Sequence, residues 1–378
     1  MRRRQFLKIA GGSAALTGGA GCVYAAPTAK SARAAWESAG AYTDPMRFAL
    51  SYAILAPNPH NRQPWQIELK SEHEAILYCD PERHLPDTDP FDRQITIGLG
   101  CFLEVFALAA AHKGYSAQFE YFPQGASMPL LDARPVARLL LKPDTAANPD
   151  LFPYIPFRKT DRSPYSNRVP AIQDLESVQR AGGIMANVSS EKNTVQTLKP
   201  ICIAALRTEF GTPHTYQESV DLMRIGRAQV RRNPDGISIE GPMVELLKIG
   251  GVLSKKALQN PQSTAFRQGL QIGLDGIENS PAFVWIISPD NTRTDQIASG
   301  RAYVRANLQA SALGLSMQPL SQALQEYSEM APHYQAIYEA LGIKTPNCLQ
   351  MLARIGYGQK KGRAPRWPLD TRIYPYAE

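Results

Sequence analysis

Four short stretches carry residue types that could do chemistry. "APNPHNRQPW", Ala56 to Trp65, packs Pro57, Asn58, Pro59, His60, Asn61, Gln63, Pro64 and Trp65 into ten residues. Prolines at this density exclude the interior of a helix or strand and mark a stiff turn. "FRKTDRSPYSNRVP", Phe157 to Pro170, sets Arg158, Thr160 and Arg162 at alternate positions. Guanidinium groups grip phosphate with two parallel hydrogen bonds, and a hydroxyl can fill a further oxygen. "LARIGYGQKKGRAPRWPL", Leu352 to Leu369, adds Arg354, Arg363 and Arg366. "GLSMQPLSQAL", Gly314 to Leu324, offers the backbone amides of Leu320, Ser321 and Gln322 beside Pro319, which cannot donate. Taken singly, the four also read as a turn anchored by a core tryptophan, a solvated basic turn, a basic tail and a plain loop.

The elements that must position these residues come from an internal repeat. "RQITIGLGCFLEVFALAAAHKGYS" (Arg93 to Ser116) aligns without a gap to "RTDQIASGRAYVRANLQASALGLS" (Arg293 to Ser316), at an offset of 200. Identities include Arg93/Arg293, Ile97/Ile297, Gly100/Gly300 and Gly114/Gly314. Each block reads as a long helix with small residues on one face, ending at a glycine suited to a C-cap. Each follows an apolar strand that ends near a proline, "AILYCDP" and "AFVWIISP". The expected organisation is therefore two copies of one α+β unit, over 40–141 and 155–378, joined by a Pro- and Asp-rich linker at 142–154. The small faces predict that the two long helices cross at the centre of a pseudo-twofold interface.

With this order in view, "APNPHNRQPW" resembles the "aPS-x-x-N-x-Q-P-W" segment of the nitroreductase (flavin oxidoreductase) superfamily, with Asn61, Gln63, Pro64 and Trp65 at its diagnostic positions. "R-K-T-D-R" resembles the family's "R-x-S-x-R/K" start, and the C-terminal stretch its "R-x-G-Y…R-x-P-L" strand. The resemblance implies flavin mononucleotide (FMN). Pro57, Asn58 and Pro59 would line its ring as a rigid ledge, while Asn61 and Gln63 tie down the turn. Arg158 and Thr160 would hold the phosphate and Arg162 would lie beneath the ring. Arg354 opens the last motif, and Arg366, with Arg363 in reserve, would reach the phosphate. Pro319, Leu320, Ser321 and Gln322 would flank the reactive N5 side. Here Ser321-Gln322 departs from the family's frequent acid–glycine pair.

The turn motif occurs only in the first unit and the arginine motifs only in the second, so one complete site can be assembled per chain. Family members are homodimers, and this arrangement resembles the fused Acg branch. "DPERHLPDTDPFDRQITIGLG" and "YQESVDLMRIGRAQVRRNPDGI" also look like that branch. The implied fold is two tandem nitroreductase-like units, each an antiparallel-rich sheet flanked by helices, forming a single-chain pseudo-dimer that is monomeric overall. A segment at about 216–256 has no counterpart in the first unit and is the expected lid. The implied activity is FMN-dependent hydride transfer from a small-molecule electron donor to an electron-poor acceptor. The alternatives are a non-catalytic flavin store sealed by that lid and a flavin-free structural pseudo-dimer.

The first 25 residues have a basic start, a weakly apolar, Gly-rich middle and a small-residue end, the layout of an export signal. "RRQFLK", Arg3 to Lys8, matches the twin-arginine pattern. Expected are passage through the twin-arginine translocase, a periplasmic location and cleavage after Ala25, or else lipidation at Cys22. Removal of Arg2, Arg3, Arg4 and Lys8 takes the formal net charge from +7 to +3. With no basic helix or aromatic–basic stripe, nothing points to nucleic acid. No run of about 18 apolar residues predicts a membrane span. Cys79, Cys101, Cys202 and Cys348 form no C-x-x-C, and no histidine pair has metal spacing, so no metal is expected. Cys79 and Cys101 lie in apolar runs and should be buried.

Overall fold

The computed structural model describes residues 31–144, 150–359 and 362–374. The expected export signal, its expected cleavage or lipidation site and the middle of the expected linker lie outside the described residues.

The chain is α+β. In the first unit, β1 (Trp65–Ser71), β2 (Glu74–Cys79), β3 (Tyr115–Tyr121) and β4 (Ala137–Pro143) pair antiparallel in the order β1-β2-β4-β3. β2 alternates buried and half-buried residues along "EAILYC", as a strand with one covered face must. In the second unit, β5 (Ala186–Ser189), β8 (Ala282–Ser288), β9 (Ser316–Pro319) and β10 (Cys348–Gly356) form an antiparallel sheet ordered β5-β8-β10-β9. β10 is buried at all nine positions, so both of its faces are covered. Between β5 and β8, a small parallel pair, β6 (Met223–Ile225) and β7 (Ile237–Ile239), belongs to the 216–256 segment.

The C-terminus departs from a division at residue 154. β11 (Ile373–Tyr374) leaves the second unit and pairs parallel with β1, extending the first unit's sheet. A two-residue strand carries almost no pattern of its own, so only tertiary pairing reveals it.

The two repeat helices, Arg93–His112 and Arg293–Ala312, pack directly on each other. A Cβ on Gly100 would lie 2.2 Å from the Ile297 carbonyl oxygen, and one on Gly300 would lie 2.0 Å from that of Ile97. The contacts are reciprocal at the repeat offset, and only glycine permits them. Arg93 donates to the carbonyls of Leu324 and Gln350 and to Glu326, all in the second unit. Its counterpart Arg293 donates to the carbonyls of Phe91, Ser127 and Pro129 in the first. Glu104 adds ion pairs to Arg301 and Arg305 at 2.7 and 2.8 Å.

One apolar core runs through both units, with Leu99, Phe102 and Ile97 meeting Ile297, Val304 and Val284. Arg93–His112 is long and apolar enough to cross a membrane, although no strict apolar run marks it. The rest of the chain buries most of it, as expected of a core helix that is apolar all round. Cys79, Cys101, Cys202 and Cys348 are buried free thiols.

Candidate functional site

The turn at 56–65 is fastened from within and from afar. The Asn58 side-chain oxygen accepts the Gln63 amide at 2.7 Å. The buried Gln63 carboxamide donates to Pro234 O at 2.8 Å and accepts the Trp367 amide at 2.9 Å. Trp65 is fully buried against Phe102, with ring centroids 5.2 Å apart. Asn61 donates to Pro365 O at 3.1 Å and accepts from Arg366. Asn61 and Gln63 thus staple the turn to the second unit, and Gln63 does not face the adjoining space.

That space is a hollow of about 710 Å³ between the turn and the start of the second unit. Pro57, Asn58, His60 and Asn61 line one side, and Arg158, Lys159, Thr160 and Arg162 line the other. Gly236 to Glu240 and Arg363 to Arg366 complete it, except that Pro365 does not contribute. Six cationic side chains (Arg33, Arg158, Lys159, Arg162, Arg363 and Arg366) face it, against one carboxylate, Glu240, which Arg33 already pairs.

The acid within "RKTDR" is turned away. Asp161 is fully buried, accepts from Ser163 N and Oγ at 2.9 and 2.6 Å, and leaves the flanking cations uncompensated. Arg158 spends one N–H on Leu55 O at 3.2 Å, its sole donation among the described residues. Arg162 and the Thr160 hydroxyl have no hydrogen-bond partner among the described residues. Burial holds the Arg158 guanidinium below its ordinary pKa. Arg162 is exposed and lines the hollow. Arginine stays charged in either setting, so the two offer cations with free donors, a fit for a multiply charged anion.

The last two motif arginines exchange places in what they leave free. Arg366 uses all five of its N–H groups: on Ile54 O, Leu55 O, Ala56 O, Pro365 O and Asn61 Oδ1. It contributes charge to the hollow but no free donor, because the carbonyls of 54–56 surround it. Among the described residues Arg363 spends only Nε, on Pro156 O at 3.2 Å, and neither Nη group has a partner there. Arg354 does not line the hollow. It is fully buried, stacks on Tyr165 at 3.8 Å, and donates to the carbonyls of Asp161 and Ser163 at 3.2 and 2.7 Å, which shapes the loop carrying Arg162.

A smaller hollow of about 70 Å³ adjoins the first through shared Pro57, Asn58 and Thr160. Pro59, Cys101, Tyr303, Pro319 and Ser321 also line it. Leu320 and Gln322 do not. The Leu320 amide is spent on Leu352 O at 2.8 Å and its side chain is buried. Gln322 lies beside buried Glu209. Of the three expected amides, only that of Ser321 lies at a hollow.

Glu218, within the 216–256 segment, accepts from Asp87 N, Thr88 N and Thr88 Oγ1. Asp235 binds Arg83 and Arg224 and accepts from Trp367, and Gly236 N donates to Asn61 O at 3.1 Å. Residues 236–240 therefore form a pinned roof. They fall within the segment expected as a lid, whereas Arg33 and Ile272 escape the sequence because each reaches the hollow from a distant element without a motif, and Lys159 lies inside the arginine motif but outside its family pattern. His60 lies inside the quoted turn, but its outlook is set by backbone geometry.

No family model matches the chain. Part of it is similar to curated proteins of Mycobacterium tuberculosis. One carries the name NAD(P)H nitroreductase acg and is 37% identical over 81 residues, 21% of this chain and 24% of the relative. A second protein named as an NAD(P)H nitroreductase is 33% identical over 121 residues, 32% of this chain and 34% of the relative. The chain thus matches between about a quarter and a third of these relatives' length. Among solved structures, an FMN- and NADPH-dependent nitroreductase from a sphigopyxis strain aligns at 15% identity and TM-score 0.38, over 61% of this chain and all (100%) of that one. Iodotyrosine deiodinase with FMN and 3-iodo-L-tyrosine aligns at 13% and TM-score 0.32, over 60% and 95%. Scores of that size carry no argument about this chain.

Proposed function

We propose that the chain is an FMN-dependent oxidoreductase of nitroreductase type, built as a single-chain pseudo-dimer with one flavin site. The observation that carries this is the meeting of complementary halves at one hollow. A rigid ledge, Pro57 and Asn58, comes from the first unit. Arg158, Thr160 and Arg162, with unspent donors and a single facing carboxylate, Glu240, that Arg33 already pairs, come from the second. The local similarity to nitroreductase-named proteins adds support.

These residues fit the group. Arg158, Arg363 and Thr160 have the free donors a phosphate requires, and Arg366 adds fixed charge behind them. Pro57, Asn58 and Pro59 exclude water from a flat apolar edge. Arg162 supplies a cation where negative charge develops in a reduced ring. Bound FMN would supply hydride transfer at N5, so no side chain need act as nucleophile. Small-molecule donor and acceptor would meet it from the open side, with 216–256 as the cover and 142–154 linking the units. Export by the twin-arginine route to the periplasm accords with a protein that binds its cofactor before translocation. Purified chain should show flavin absorption and bind one FMN, and a stoichiometry of two would overturn the single-site reading.

The pinned roof favours a second reading, a flavin holder without turnover. Steady-state reduction of nitroaromatics or quinones with NAD(P)H separates the two: turnover removes the holder.

A further inference from the structure

The helix Pro242–Ile249 is attached to the protein by its polar side and turns its apolar side outward. None of its residues is buried. At 3.6 residues per turn, Val244, Glu245 and Lys248 share one face, and Met243, Leu246 and Ile249 share the opposite one. The first face makes the attachments. Glu245 accepts from Arg227 N at 2.7 Å, Lys248 donates to Ile225 O at 3.1 Å, and Val244 packs against the cluster of Tyr216, Val220 and Phe266. The second face is open: Leu246 is 64% exposed and Ile249 83%. Met243 and, just beyond the helix, Val252 are exposed as well. A surface helix ordinarily buries its apolar stripe and hydrates its charges. The reverse arrangement leaves apolar side chains in water, the mark of a surface that meets a partner.

The charges around the helix say what kind of partner. From residue 222 to residue 274 the exposed charged side chains are Arg227, Arg231, Arg232, Lys256 and Arg267, all cationic. Three acids occur in that span and each is committed: Asp235 to Arg83 and Arg224, Glu240 to Arg33, and Glu245 to the Arg227 amide. Arg227 and Arg231, one turn apart, share a face of the short helix Arg227–Arg232, whose first residue meets Glu245. A second copy of the chain would cover the apolar stripe but bring these cations against each other across a twofold axis. A bilayer with anionic headgroups suits both features, taking apolar side chains at the acyl boundary and basic ones at the phosphates.

We propose that Pro242–Ile249, with Val252, is a membrane-surface anchor: Met243, Leu246 and Ile249 enter the headgroup–acyl boundary of an anionic bilayer while Arg227, Arg231, Arg232 and Lys256 meet lipid phosphates. The inference is independent of the flavin reading. Because the roof of the hollow, 236–240, leads straight into this helix, attachment holds the hollow at the bilayer surface.

The test uses the full chain with vesicles of phosphatidylglycerol and phosphatidylcholine in equal parts, or of phosphatidylcholine alone. Wild type should sediment with the first and far less with the second, and added salt should release it. Leu246→Ser with Ile249→Ser should weaken attachment about 100-fold, the worth of two apolar side chains withdrawn from lipid. Arg231→Gln with Arg232→Gln should weaken it about 10- to 30-fold. All four side chains are exposed, so these variants should fold as the wild type does. Leu246→Trp reports on the helix itself: its added emission should shift to the blue and be quenched by brominated lipid, beyond any change in wild type. No excess quenching would overturn the contact, even where another part of the chain carries the protein to the vesicles. Equal binding to both kinds of vesicle would also overturn the proposal. So would a wild-type dimer in sedimentation velocity that Leu246→Ser with Ile249→Ser converts to monomer, since a second copy would then cover the stripe.

Discussion

Arg158 and Arg366 are both buried, both line the hollow and both donate to Leu55 O, yet their substitution should have opposite consequences. Arg158 commits one N–H to protein. Arg158→Ala therefore removes little scaffold, about 1 kcal/mol for one hydrogen bond, since Leu55 O keeps Arg366 as a donor, and it relieves a desolvated charge. Its free donors go to the ligand. A charge-assisted pair is worth roughly 1.5–3 kcal/mol, so FMN should bind about 10- to 150-fold more weakly. Arg366→Ala removes five hydrogen bonds at once: Ile54 O loses its donor, while Leu55 O and Ala56 O keep only Arg158 and the Asn58 side chain. At about 1 kcal/mol for each lost bond, the apo protein should lose roughly 3–5 kcal/mol. The assay pairs urea unfolding of the FMN-free chain with FMN fluorescence titration for each variant. Unchanged FMN affinity in Arg158→Ala would refute the phosphate assignment. Normal apo stability with sharply reduced affinity in Arg366→Ala would refute the division of labour.

Three further outcomes follow from the geometry. Gly300→Ala drives a Cβ into the Ile97 carbonyl, where backbone cannot yield, and should cost about 1–3 kcal/mol or more, read as a lower thermal midpoint; Gly269→Ala, which meets no atom within 4 Å, is the control. Gln63→Ala cuts the turn from Pro234 and Trp367 and should speed FMN release while leaving Arg158 in place, which stopped-flow dissociation would reveal. Burial raises the Asp89 carboxyl from 3.8 to about 7. The folded state then binds this proton more tightly than the unfolded chain, so its contribution is full below about 4 and is lost as pH rises through 7. Asp89→Asn should flatten that fall in a stability-versus-pH series.

Legibility in the sequence followed locality. Arg158, Thr160 and Arg162 could be grouped because they share one loop, and the structure sets all three along one hollow. Gly100 and Gly300 could be found because the repeat puts them in register. The exchange between Arg363 and Arg366 could not, since both are arginines in one basic run. What separates them is whether the carbonyls of residues 54–56, some 300 positions away, surround the guanidinium. The Leu320 amide, expected beside the ring, is unavailable for a similar reason: Leu352 claims it. Arg33 and the roof at 236–240 reach the hollow only after the chain has folded.

The same carbonyls bear on how the site can form. Leu55 O accepts from Arg158 and Arg366 together, and Ile54 and Ala56 complete the clamp. The ledge of the first unit is thus oriented by the cations of the second, and the one carboxylate facing the hollow, Glu240, is already paired with Arg33. Without ligand, like charges are held close at the seam between the units, and burial with Arg158 nearby pushes Arg366 well below its ordinary pKa. An anion bound there offsets that repulsion only when the units are docked, so it binds the folded chain and not its separated halves. FMN should therefore raise the unfolding midpoint with concentration, by about 2.7 kcal/mol at a hundredfold excess over Kd. Arg158→Ala should abolish most of that ligand-dependent gain, while Gly300→Ala, which weakens the docking itself, should lower the starting stability and leave the gain per unit of saturation unchanged.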